Sequence, residues 1–183
     1  LLMRIPKVDN ADSSENSLLS FEDIESYHGV DLAADMVQEA SRRFHAHGNL
    51  HFTQVDLTDP TWFLKSTEPF DLYYNSYGSL SHLDDAQLRT LLERIASHQP
   101  GSCTVVIDVH GQFSPEWPGY WGYSSEPSAP RMQPYTMTWL YPPDEQNSHR
   151  EEFDGYRIRY WGGRELERFL LKIDQVQHRA QRI

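Results

Sequence analysis

Long apolar runs and paired cysteines are both missing from this 183-residue chain. A transmembrane helix needs about 20 consecutive apolar residues, and no run here approaches that length. No basic segment leads into a short apolar stretch, so we predict no signal peptide. Cys103 is the only cysteine and cannot form an internal disulfide. We expect a buried thiol in a cytoplasmic protein with no membrane contact.

Basic residues are also scarce. Sixteen Lys and Arg stand against 27 Asp and Glu, which gives a formal charge of −11. A nucleic-acid surface needs clustered cations to neutralise several phosphates, and the composition does not supply them. The acidic surface favours a neutral or cationic small-molecule substrate instead. We predict no metal site.

Strand and helix signals alternate between residues 26 and 109. Apolar residues recur at helical spacing around 36–44 and 88–95. Short apolar runs that favour strands separate the helices, and the last of them is continuous enough for a central strand covered on both faces. The pattern predicts a single α/β domain of Rossmann-like type, with a mostly parallel sheet and helices on both faces. The predicted strands are residues 26–32, 50–55, 70–74 and 103–109.

Residues 111–153 interrupt this alternation and hold most of the prolines. The segment is too long for a simple connection, so we expect a Pro- and aromatic-rich lid insertion or small subdomain. Its aromatic residues either wall a substrate pocket or form a small core of their own. A strand at 156–161 and a helix at 163–171 follow. The candidate substrate-binding residues are Trp117, Tyr120, Trp121 and Tyr135.

Polar residues stand at the predicted strand ends, where open parallel sheets bind ligands. Asp31 could accept hydrogen bonds from both hydroxyls of a ribose, or could cap the helix that follows. Asp56 could accept from an adenine amino group, or could stabilise a turn. Asn75 and residues 108–110 end the next two strands. All four strand ends are expected along one edge of the sheet.

Several segments together resemble one family. Residues 27–36 (YHGVDLAADM) and 52–57 (FTQVDL) resemble two successive motifs of class I S-adenosylmethionine-dependent methyltransferases. Residues 70–83 (FDLYYNSYGSLSHL) are similar to the family's fourth-strand motif and the loop after it. Residues 91–101 and 105–109 look like the following helix, Pro-Gly turn and fifth strand, and residues 159–166 resemble a late strand–helix junction.

The resemblance implies an S-adenosylmethionine-dependent methyltransferase with a small-molecule O or N acceptor. By this resemblance Asp31 would hold the ribose and Leu32 would line the adenine. Asp56 would accept from the adenine amino group while the Leu57 backbone donates. The methionine part of the cofactor would lie against Asn75, Ser76 and Tyr77.

The family's glycine-rich turn is missing from its expected place, about 20 residues before the ribose-binding acid. No glycine precedes Gly29. We expect that turn to lie upstream of Leu1. The alternative is a non-catalytic module that keeps the fold as a binding or scaffold domain.

Two histidines are candidates for a general base. His82 and His110 both follow predicted strand ends, and histidine is the usual side chain for proton removal. A surface or packing role is the competing interpretation for each. A nicotinamide-dependent oxidoreductase would share the ribose acid but would leave Asp56 and residues 75–82 unexplained.

Overall fold

The structure is a computed structural model that describes residues 2–4, 23–59, 61–62, 68–99, 101–113, 132–140 and 150–173. Seven strands and three helices occur within these ranges. In chain order they are β1 Leu2–Arg4, β2 Ser26–Asp31, α1 Ala34–Arg43, β3 Leu50–Gln54, β4 Leu72–Tyr74, α2 Asp85–His98, β5 Thr104–Val106, β6 Met132–Leu140, β7 Arg150–Arg159 and α3 Gly163–Leu170.

Five strands form the main sheet in the order β3-β2-β1-β4-β5. Strands β2, β3, β4 and β5 run in one direction, and β1 runs against both of its neighbours. The expectation of a mostly parallel α/β sheet is therefore met except at the centre. No strand is predicted before residue 26, and β1 corrects that expectation. A segment of three residues is too short to carry a recognisable strand pattern.

Helix α1 covers one face of the sheet over β2 and β3. The ring of Phe44, directly after the helix, stacks on Phe52 with centroids 5.8 Å apart, and Phe52 also contacts Tyr27. Gly29 lies under these rings, and a Cβ there would come within 2.6 Å of the Phe52 ring. The glycine is needed for this close packing.

Helix α2 covers the opposite face and forms the centre of the core. Its start is fixed by a capping box, in which Asp84 accepts from the Gln87 backbone and Gln87 accepts from the Asp84 backbone. Beneath it the Tyr73 hydroxyl lies 2.8 Å from His98 Nδ1, and burial raises the pKa of Tyr73 to about 12. The predicted apolar face of the helix is buried as expected: Leu88, Leu91, Leu92 and Ile95.

Strand β5 differs from the prediction for residues 103–109. It spans only Thr104–Val106 and lies at the end of the five-stranded order. Val105 and Val106 are 39% and 41% exposed, so the strand is not covered on both faces by the described residues. An apolar run indicates burial only where neighbouring elements exist to cover it, and that information is not local. Cys103, predicted to be buried, is half-buried.

Strands β6 and β7 form a separate antiparallel pair with an irregularity between Tyr135 and Met137. The strand predicted at 156–161 thus overlaps the end of a longer strand, β7, and residues 132–140 and 150–153 of the predicted insertion belong to strands. Residues 114–131 and 141–149, the remainder of that segment, lie outside the described residues. A lid function stays a prediction.

Arg159 joins the hairpin to the core. Its side chain is only 3% exposed, and its guanidinium donates to Asp85 Oδ1 at 2.9 Å and to Glu165 Oε1 at 2.6 Å. A third donor bonds the Tyr160 carbonyl, and the group lies 4.0 Å from the centre of the Trp161 ring. One buried cation thereby links the end of β7 to the first turns of α2 and α3.

We expect Arg159→Leu to lower the free energy of unfolding by about 2–4 kcal/mol, because Asp85 and Glu165 lose their cation while remaining partly buried. Urea denaturation measures the change. Arg164→Leu, an exposed cation on α3, is the matched control and should shift stability by less than about 0.5 kcal/mol. Equal effects of the two substitutions would contradict a supporting role for Arg159.

Candidate functional site

The carboxyl ends of β2 and β4 face a cavity of about 300 Å³. Strand β1 lies between them but pairs only up to Leu2, opposite His28 and Tyr73, so the described sheet is open beyond that level. Apolar side chains, Met36 among them, form most of the wall. Four predicted site residues also line the cavity: Asp31, Leu57, Asn75 and Ser76.

Asp31 ends β2 beside the tip of β3. It is in register with Gln54, and its carbonyl accepts from the Val55 backbone at 2.8 Å. Its carboxylate Oδ1 accepts from the Ala33 backbone at 2.8 Å. This bond orders the turn that leads into α1, whose N-cap residue is Ala33 and which has no side-chain cap hydrogen bond. The side chain thus stabilises the turn and does not cap the helix, and the exposed residue also lines the cavity.

Asp56 follows the tip of β3, one residue beyond the Val55 bond to Asp31. Its Oδ1 accepts from both the backbone and the hydroxyl of Thr58, at 2.8 and 2.7 Å. The turn interpretation is thus correct for this oxygen, while the side chain stays exposed. Leu57 contributes to the cavity wall and packs against the core. The two carboxylates predicted to act together stand on neighbouring strand ends.

Two other predicted cofactor contacts are largely in solvent. Leu32 is 66% exposed and Tyr77 is 93% exposed, and neither lines the cavity. Tyr77 has a φ of +57°, in the left-handed region that bulky residues rarely adopt. Its ring stands at the turn that follows Asn75 and Ser76.

The loops after β4 and β5 are joined by hydrogen bonds. Asn75 Oδ1 accepts from the Asp108 backbone at 3.1 Å, and Asp108 Oδ2 accepts from the Gly78 backbone at 3.2 Å. Buried Ser81 accepts from the His110 backbone at 2.7 Å. Asp108 is predicted at a strand end, and the sequence pattern indicates no role for it. A carboxylate that binds backbone 30 residues away leaves no local signal.

His82 contacts the hairpin. Its Nδ1 lies 3.1 Å from the Arg157 carbonyl oxygen, which can only accept, so Nδ1 carries the proton and neutral His82 presents a basic Nε2. The imidazole also lies beside Tyr135 and Tyr156, with centroids 5.9 and 6.2 Å away. The sequence analysis missed Tyr156, although the register of β6 and β7 pairs it with Tyr135.

Tyr135 is unsuited to act as a base. Burial, with a smaller contribution from Tyr156, raises the pKa of its hydroxyl, so it stays protonated near neutral pH. His110 is more enclosed than His82. A Cβ on Gly78 would come within 2.5 Å of His110 Nε2, and the imidazole also contacts the Tyr160 ring. Of the two predicted bases, His82 is the more exposed.

The remaining predicted substrate residues, Trp117, Tyr120 and Trp121, lie outside the described residues. Within the described ranges, no group of three His, Cys, Asp or Glu side chains is arranged to hold a metal ion. The described helices are all too short or too polar to span a bilayer.

The site's chemistry fits an adenosine-containing cofactor. An exposed carboxylate oxygen on Asp31 suits ribose hydroxyls, and the apolar wall beside Leu57 suits a purine ring. Polar atoms of Asn75 and Ser76 lie across the same cavity. The sheet order and the position of this cavity define a Rossmann-like class of fold.

Comparison with known proteins narrows this class. Residues 15–99 match the family profile described as a methyltransferase domain. The match agrees with the resemblance to methyltransferases over these residues, which make up just under half of the chain. No curated protein sequence gives a significant match.

Solved structures with this fold are distant in sequence. An S-adenosylmethionine-dependent methyltransferase from Methanosarcina mazei is 11% identical, with a TM-score of 0.51, over 81% of this chain and 68% of that one. A glycopeptide N-methyltransferase complexed with S-adenosylmethionine is 15% identical, with a TM-score of 0.48, over 81% of this chain. The chain spans 60% of the length of that second protein.

We expect Gly78→Ala to destabilise the protein by about 1–3 kcal/mol, since its φ of +62° disfavours a side chain and the new Cβ displaces His110. Gly48→Ala is the control, because its Cβ would meet open space, and it should change stability by less than about 1 kcal/mol. Thermal unfolding compares the pair. Similar melting temperatures for both variants would show that the turn tolerates a side chain.

Proposed function

We propose that this chain binds S-adenosylmethionine between the tips of β2 and β4 and transfers its methyl group to a small-molecule oxygen or nitrogen acceptor. The observation that supports this most directly is Asp31, an exposed carboxylate that ends β2 and lines the cavity.

In this proposal each part of the cofactor has its own group of residues. Asp31 holds the ribose hydroxyls, and Asp56 with the Leu57 backbone binds the adenine edge that Leu32 covers. Asn75, Ser76 and Tyr77 flank the methionine part. When bound, S-adenosylmethionine would supply a methyl group attached to a positively charged sulfur. The nucleophilic oxygen or nitrogen of the acceptor would bond to the methyl carbon and displace the sulfur.

The protein's task in such a displacement is mainly orientation, which can contribute about 7–11 kcal/mol. His82 Nε2 accepts a proton where the acceptor must lose one, because the Arg157 carbonyl keeps the proton on Nδ1. His110 is the second candidate base. Tyr135, together with the insertion residues Trp117, Tyr120 and Trp121, forms the acceptor wall, so that residues 111–153 act as a lid on a single domain in a cytoplasmic enzyme.

We expect Asp31→Asn to weaken S-adenosylmethionine binding about tenfold or more, since the neutral amide loses charge-assisted bonds of about 1.5–3 kcal/mol each. The amide oxygen can still accept from the Ala33 backbone, so the turn into α1 is kept. Isothermal calorimetry measures the dissociation constant. Asp35→Asn removes an exposed charge from the first turn of α1 and serves as the control. The absence of measurable binding by the wild-type protein would refute the proposed function.

His82 is tested by a substitution that preserves its structural contact. In His82→Asn the side-chain amide can still donate to the Arg157 carbonyl, but no base remains at the position of Nε2. We expect turnover of hydroxyl acceptors to fall by a factor of about 10²–10⁴ with unchanged cofactor affinity. Transfer of a labelled methyl group to a panel of phenols and amines measures this.

His45→Asn is the matched control, because His45 Nδ1 also lies 2.9 Å from a backbone carbonyl, that of Arg42. Unchanged turnover by His82→Asn would leave His82 with its packing role alone.

A further inference from the structure

The loop that follows β4 holds two consecutive residues in the left-handed region. Tyr77 has a φ of +57° and Gly78 a φ of +62°. Glycine adopts this conformation freely, but a bulky residue such as tyrosine does so at a cost. Backbone strain of this kind persists only where the surrounding structure holds it, and it is concentrated at functional sites.

Asp108 supplies the restraint. Its carboxylate Oδ2 accepts from the Gly78 backbone at 3.2 Å, and its own backbone N–H donates to Asn75 Oδ1 at 3.1 Å. Asp108, which lies beyond the end of β5, therefore binds both ends of the segment 75–78. Asn75 is held in addition by its backbone bond to the Val106 carbonyl at 3.0 Å.

The restrained segment is the part of the site nearest to the methionine end of the cofactor. Asn75 and Ser76 line the cavity, whereas Asp108 does not. Tyr77 is presented to solvent with 93% of its surface exposed. A loop without the Asp108 carboxylate would relax towards negative φ at Tyr77, and the neighbouring polar groups would leave their positions.

We propose that Asp108 is a positioning residue, which keeps residues 75–78 in the conformation that binds the methionine end of S-adenosylmethionine. This inference rests on the proposed function and adds a residue to it. Asp108 acts by accepting a hydrogen bond from Gly78, so the requirement is for an acceptor atom at this position and not for negative charge.

Two substitutions separate the acceptor from the charge. Asp108→Asn keeps an oxygen that can accept from Gly78 and loses the charge, whereas Asp108→Ala loses both. We expect Asp108→Ala to weaken S-adenosylmethionine binding about tenfold, because binding must then also order the loop. Asp108→Asn should bind nearly as tightly as the wild type. Asp35→Ala, which removes another exposed carboxylate, controls for the change in net charge.

A second measurement needs no ligand. The amide hydrogen of Gly78 should exchange with solvent faster by about tenfold in Asp108→Ala, with protection restored in Asp108→Asn. Hydrogen-exchange NMR on the ligand-free protein measures this, and the melting temperature should change little because Asp108 is exposed.

The outcomes are distinct. Weaker binding and faster Gly78 exchange in Asp108→Ala, both rescued by Asp108→Asn, support the inference. Wild-type affinity in Asp108→Ala overturns it, as does an Asp108→Asn variant that binds as weakly as Asp108→Ala while Gly78 stays protected. Loss of the proposed function would be seen separately, as a failure of the wild-type protein to bind S-adenosylmethionine.

Discussion

The buried guanidinium of Arg159 is the interaction on which the arrangement of this protein depends. A buried cation is tolerated only when its donors are satisfied, and here Asp85, Glu165 and the Tyr160 carbonyl satisfy them. Arg159 belongs to β7, Asp85 to α2 and Glu165 to α3, so the requirement to pair one charge fixes the orientation of these three elements together. A purely apolar contact would be less selective, because apolar packing has little directionality.

The consequences of this anchor extend to the candidate site. Arg157 lies two residues before Arg159 on β7, and its carbonyl holds the His82 imidazole. His82 ends the short helical turn Ser79–His82, which follows the strained loop after β4. The chemistry proposed for His82 therefore depends on a charge pair elsewhere in the structure, connected to it through the backbone of one strand.

Elements with a regular local pattern were predictable from the sequence. The buried face of α2 followed from helical spacing, and the strand ends at Asp31 and Asp56 followed from short apolar runs that stop at carboxylates. The parallel pairing of β2 with β3 then places those ends side by side. Each of these features is encoded within about ten neighbouring residues.

Features that depend on distant partners were not predictable in this way. The exposure of Val106 reflects which elements cover β5, and the role of Asp108 reflects a bond to Gly78. The pairing of Tyr156 with Tyr135 required the register of two strands whose connection carries no regular pattern. Such contacts join residues about 20 or more positions apart, and no local spacing records them.

The antiparallel β1 has a further mechanical consequence. Within the described part of the chain, the three residues of β1 connect the half-sheet of β2 and β3 with that of β4 and β5. The two strand spacings across β1 separate Asp31 from Asn75 by roughly 10 Å. A molecule that contacted both half-sheets would hold them together. A ligand bound in the cavity would thus raise the free energy of unfolding in addition to being recognised there.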